Sequence, residues 1–94
     1  MMRKIVLEPT LGKCVETLAK ERYWTLVDEY GRRIGKEGVL KDLEYQIETL
    51  REFLEHMDVA EYRRLTEAQL EQGRKVRLVL EMTDEGTVRA SLEA

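Results

Sequence analysis

Apolar residues recur along this chain in two different rhythms, and the rhythms divide it into elements. Leu40, Leu43, Ile47, Leu50, Leu54 and Met57 follow one another at alternating steps of three and four, with charged residues between them. That spacing lines six apolar side chains along one stripe of a helix, close to the a/d seam of a coiled coil. Such a stripe must be covered by a second helix, a sheet face or another copy of the chain. In the last twenty residues the period drops to two. Val76, Leu78, Leu80 and Met82 alternate with Arg77, Val79 and Glu81, and Val88, Ala90 and Leu92 alternate with Arg89, Ser91 and Glu93, which predicts a hairpin. With Asp84-Glu85-Gly86 as a three-residue loop and Gly86 in the left-handed bulge position, Thr83 faces Thr87. Met82 then meets Val88, Leu80 meets Ala90, and Leu78 meets Leu92. A slip of one residue would turn these apolar pairs to the wrong face.

The remaining elements follow from start and stop signals. Met2 to Glu8 reads as a strand closed by Pro9, which has no amide to donate. Thr10 is suited to cap a helix beginning at Leu11, in which Val15, Ala19, Tyr23, Leu26 or Val27, and Tyr30 keep the helical period. Gly31 suits the position after a helix end, so this helix is expected to stop near Tyr30. The glycine cluster from Gly31 to Gly38 is then a connection between two antiparallel helices. Asp58 with Glu61, and Thr66 with Gln69, both have capping-box spacing. They predict a short third helix, broken near Leu65 and ending at Gly73.

The sum is a single α+β domain over 1–94 in the order β-α-α-α-β-β. A small antiparallel sheet of about three strands, the N-terminal strand plus the C-terminal hairpin, packs against two long antiparallel helices and a short third one. So small a sheet does not cover two long amphipathic helices. A homodimer or another protein partner is therefore expected, with Leu43, Leu50 and Leu54 of the stripe as interface candidates. Trp24, which falls off the core period of its helix, joins them.

Composition narrows the partners. A net charge of −3 and a pI near 5.3 give no overall field drawing the chain to nucleic acid or anionic membrane. No run approaches the roughly 18 apolar residues of a membrane helix, and the apolar stretch behind the basic N-terminus is too short for a signal peptide. The one cysteine, Cys14, excludes an intramolecular disulfide, so the cytoplasm is the expected compartment. Absence of Asn, scarcity of Gln and Ser and abundance of Glu and Arg form a bias also found in thermophile proteins.

The candidate chemistry gathers at Gly31 to Gly38, where Arg32, Arg33 and Lys36 stand among glycines ahead of a helix N-terminus, an arrangement that favours anions. It is not a Walker A loop, because Gly31 and Gly35 are one residue too close and Glu37 stands where a Mg²⁺-holding Ser or Thr belongs. Ile34-Gly35-Lys36-Glu37-Gly38, followed by a helix and preceded by Gly31, resembles the GXXG loop of KH domains, although Arg33 and Lys41 fall where that family has apolar residues. The resemblance implies an RNA- or phosphate-binding module with Arg32, Arg33, Gly35, Lys36 and Gly38 at the contact. The acidic row Glu44, Glu48, Glu52 and Glu55 is spread along one helix face and has no metal-ligand geometry. Cys14 and His56, each the sole residue of its type, would form a nucleophile pair only by meeting in space. Arg63-Arg64 and Arg74-Lys75-Arg77 read as solvated basic flanks. The expectation is a non-catalytic association module with no cofactor, no metal and no small-molecule substrate.

Overall fold

The computed structural model describes residues 4–37 and 40–93. The sheet is built around β2 (Arg77–Met82), which lies between β1 (Lys4–Leu7) and β3 (Val88–Glu93), antiparallel to both. The hairpin register is the expected one: Met82 opposes Val88, Leu80 opposes Ala90 and Leu78 opposes Leu92. The Thr83 amide donates to the Thr87 carbonyl at 2.7 Å, and the two hydroxyls lie 2.8 Å apart. Gly86 holds φ at +83°, a left-handed conformation, and donates its amide to the Thr83 carbonyl at 3.0 Å. Alternation then sorts the faces. Ile5, Leu7, Leu78 and Leu80 are buried on the inner face. On the outer face Lys4 opposes Glu81, Glu81 opposes Arg89, and Arg77 meets Glu93 at 3.9 Å.

There are three helices, α1 (Val15–Glu37), α2 (Lys41–His56) and α3 (Val59–Glu71); α1 and α2 cover the inner face, and α3 packs against α1. The fold class and element order are those the sequence predicts. Val15, Ala19 and Leu26 of α1, and Leu43, Leu50 and Phe53 of α2, close the core over the sheet. The ring of Phe53 lies 5.9 Å from that of Tyr62 on α3. The α2 stripe is not a straight seam. Its deepest residues are Thr49, Leu50 and Phe53, while Ile47, Leu54 and Met57 stay half-buried. A helix of 3.6 residues per turn drifts relative to a 3.5-residue repeat, so the buried line rotates. Thr49 enters the core because its hydroxyl donates to the Tyr45 carbonyl at 2.7 Å.

Helix ends differ from the expected ones in three places. Helix α1 starts at Val15, not Leu11, because Thr10 and Lys13 exchange both backbone hydrogen bonds (3.0 and 3.1 Å) across a tight turn at Leu11-Gly12. It also runs through Tyr30 to Glu37, so Gly31, Arg32, Arg33, Ile34, Gly35 and Lys36 are helical rather than a loop. Two i,i+4 ion pairs, Arg32–Asp28 at 3.5 Å and Arg33–Glu29 at 3.2 Å, span the expected break. The basic residues of the last turns face the negative end of the helix dipole, and the Tyr30 hydroxyl donates to Glu44 of α2 at 2.8 Å. Helix α3, lastly, is unbroken at Leu65. Thr66 does not cap a new helix; it is buried and its hydroxyl donates back to the carbonyls of Tyr62 and Arg63. The Asp58 cap holds, accepting from the Glu61 amide at 3.1 Å. Gly73, at φ +76°, closes the helix with Gly73→Leu70 and Arg74→Gln69 backbone bonds, a Schellman end.

A glycine inside a helix and one in a left-handed turn answer oppositely to a methyl group. A Cβ on Gly31 or Gly35 meets nothing within 4 Å, so Gly31→Ala and Gly35→Ala are each expected to stabilise the chain by about 0.5–1 kcal/mol in urea unfolding. Gly86→Ala is expected to destabilise it by about 1–2 kcal/mol. Destabilisation by Gly35→Ala would place Gly35 in a turn instead. Phe53→Ala, which empties a fully buried site, is expected to cost about 3–5 kcal/mol.

Candidate functional site

The residues proposed from sequence for binding do not converge. Arg32, Arg33, Gly35 and Lys36 lie along the last turns of α1, and the carboxylates of Asp28 and Glu29 already meet the first two. Gly38 lies outside the described residues. At this end of α1 the dipole presents carbonyls, not amides, so the anion-binding geometry expected of a helix N-terminus is not made by the residues from Gly31 to Lys36. Of the interface candidates, Leu43 and Leu50 are 7% and 0% exposed within the chain's own core, and Leu54 is half-buried. Trp24 stands clear at 66% exposure, its ring edge-on to Tyr23 with centroids 5.4 Å apart.

Cys14 and His56 are not joined by a hydrogen bond. Cys14 sits just before α1, where its carbonyl takes the first helical bond from the Leu18 amide, and its sulfur lies 3.5 Å from the Thr17 hydroxyl. The Thr17 hydroxyl and then the Thr17 amide hold the thiol pKa below the usual cysteine range, against a smaller opposing effect of burial. The imidazole of His56 is mostly exposed and lies 3.7 Å from Glu55 and 4.0 Å from Glu52. Among the described residues no group of three or more His, Cys, Asp or Glu is placed to hold a metal ion. No helix among them is long and apolar enough to cross a membrane.

The arrangement that does stand out is at the margins of the sheet. At one end the Thr10–Lys13 turn holds Leu11 out at 66% exposure, opposite the Gly73–Val76 loop that leaves α3. Between them lies a cleft of about 670 Å³ floored by Pro9, Leu70 and Val76. On the far side of Arg74 and Lys75 a second recess of about 450 Å³ reaches Gln69 and Leu92, and Leu92 is itself 36% exposed. Arg74 leans on the Gln69 side chain at 3.3 Å. With Lys75 and Arg77 it gives the apolar floor a largely cationic rim, in which Glu8 and Glu93 also stand and Arg77 is paired with Glu93.

The two sheet edges are treated differently. Along β1, Arg22 of α1 donates to the outward-facing Val6 carbonyl at 3.4 Å, and Tyr45 of α2 donates to the Met82 carbonyl of β2 at 3.2 Å. Along β3 no side chain among the described residues meets the backbone. This edge runs over six described residues, carries neither proline nor lysine, and has Arg89 and Glu93 as its charged side chains. Sequence reasoning missed the exposed turn at Leu11, although Gly12 was its signal. It could not have found the Arg22 cap, which spans sixteen residues of chain.

Compared with known proteins, one family model matches residues 1–90, a span that takes in β1, β2 and all three helices. No curated protein and no solved structure matches the chain.

The Cys14 environment carries its own prediction. Alkylation of the folded protein should titrate at lower pH than that of the urea-unfolded chain, and Thr17→Val should move the midpoint upward. By linkage the lowered pKa favours the folded state above the unfolded thiol pKa, and that contribution is lost as pH falls through the folded one. An unchanged midpoint in Thr17→Val would contradict the assignment of the shift to that hydroxyl.

Proposed function

We propose that this chain, which belongs to the family whose model matches residues 1–90, works by association with protein, as a homodimer or as a subunit of a larger assembly, without catalysis of its own. The observation that carries the reading is the apolar surface left uncovered where the helical layer stops: Leu11 and Leu92 stand exposed beside two adjoining recesses, next to an edge strand that no side chain among the described residues caps. Exposed apolar area of this kind gains about 25 cal/mol per Å² on being covered. The stripe of α2, by contrast, is largely satisfied inside the chain, so the surface for association lies at the sheet margins and at Trp24. A free, unpaired Cys14 supports a reducing compartment, the cytoplasm.

A second reading, phosphate or RNA binding, draws on Arg32 and Lys36 exposed on α1 and on the cationic rim at Arg74, Lys75 and Arg77. The ion pairs already made by Arg32 and Arg33 count against the first of these groups.

Size-exclusion chromatography with light scattering, recorded at 260 and 280 nm, separates the two. Association predicts a mass of twice 11.1 kDa or more with a clean protein spectrum. A monomer at high concentration, with no partner protein recovered from cells, would overturn it. Excess absorbance at 260 nm that salt removes would move the second reading to the front.

A further inference from the structure

Resting on the association reading, we infer that the partner at the sheet margin is a second copy of this chain, joined antiparallel along β3 with Ser91 on the two-fold axis. The backbone says which groups are available. Thr83 bonds Thr87 across the hairpin, so by antiparallel alternation Arg89, Ser91 and Glu93 point their amides and carbonyls toward β2. Val88, Ala90 and Leu92 point theirs outward. The opposite edge differs, because Arg22 donates to the outward Val6 carbonyl of β1.

The side chains say which register the two copies take. Antiparallel neighbours share a face, so a two-fold axis passes through a residue, and Ser91 or Ala90 are the central choices. With Ser91 on the axis, Arg89 opposes Glu93 of the second copy, twice by symmetry, and Ala90 opposes Leu92. The outer face of the joined sheet then alternates in sign without interruption: Lys4, Glu81 and Arg89 of one copy continue into Glu93 and Arg77 of the other. Opposite charges set directly across strands stabilise such pairs, and like charges would oppose them. On the inner face Leu92, 36% exposed in the single chain, comes to lie beside Ala90 of the second copy. Centring on Ala90 instead sets Arg89 against Ser91 and leaves Glu93 across from Thr87, with no charge matched. The edge is thus complementary to itself in one register.

Two sets of variants test this. In Ala90→Pro the lost amide is one that points to solvent in the single chain, so the fold is expected to survive with unchanged far-UV circular dichroism while the edge is blocked. Its mass by light scattering should fall twofold relative to the wild type. In a Cys14→Ser background, Ser91→Cys places two thiols at a non-hydrogen-bonded pair, where side chains approach most closely. It should oxidise to a covalent dimer faster than Ala90→Cys does. A wild-type dimer that persists in Ala90→Pro, or that cross-links through Ala90→Cys in preference to Ser91→Cys, would overturn this pairing and leave association through another surface standing. A monomeric wild type would overturn the pairing as well, and the broader reading falls with it only when no partner protein is recovered. If Ala90→Pro fails to fold, the cross-linking pair decides alone.

Discussion

The pairing of β2 with strands drawn from both ends of the chain is the constraint on which the rest of this structure depends. Of the three strands, only β2 is hydrogen-bonded on both sides, and its residues Leu78, Val79 and Leu80 are buried toward both faces. Its register with β3 is fixed within a hairpin, by a turn that requires Gly86 in a left-handed conformation and by two facing threonines. Its register with β1 closes a loop of roughly seventy residues, which is entropically costly and is offset by the core that forms beneath. Ile5 and Leu7 reach that core only when they oppose Leu80 and Leu78. The helices then cover the inner face of these strands, with Phe53 and Leu50 at the centre.

The parts legible in the sequence are those where two independent signals agree. In the hairpin, a period of two and the chemistry of the Asp84-Glu85-Gly86 loop each point to one register. At Asp58 and Gly73, a capping side chain and a left-handed glycine mark the ends of α3, although Thr66 offers a second, competing start signal. The failures share a cause: a local signal was weighed without its tertiary setting. Gly31 and Gly35 resemble helix stops, yet their missing side chains face open space, and ion pairs to Asp28 and Glu29 carry the helix past them. Thr66 resembles a cap, yet it is one of two buried threonines whose hydroxyls are satisfied by the carbonyls of the preceding turn. The residues from Ile34 to Glu37, expected as loop in the KH-like stretch, form helix, and Gly38 lies outside the described residues.

Surface function was less legible still, because it depends on what the fold leaves uncovered. The α2 stripe suggests an interface on periodicity alone, but periodicity does not reveal how much of a stripe its own sheet will cover. Leu43 and Leu50 vanish into the core, while Leu11 and Leu92, inconspicuous in the sequence, come to line the recesses at the end of the sheet. The asymmetry of the sheet edges has the same origin. Arg22 of α1 reaches the outward backbone of β1, and among the described residues no side chain is hydrogen-bonded to the backbone of β3. What the sequence does carry in full is the charge order of β3. Arg89 and Glu93, four residues apart on one face, oppose Glu81 and Arg77 on β2, and in the proposed pairing they would also complement each other between copies.

Amide hydrogen exchange resolved along β3 tests the central claim, an edge that is open in the single chain and closed by a second copy, most directly. Arg89 and Ser91, bonded inward to β2, should exchange slowly at every concentration. Ala90 and Leu92 should be slow in the concentrated protein and accelerate on dilution, so that protection alternates along the strand only when the copies separate. Rapid exchange of Ala90 and Leu92 at concentrations where the protein is dimeric would contradict the account.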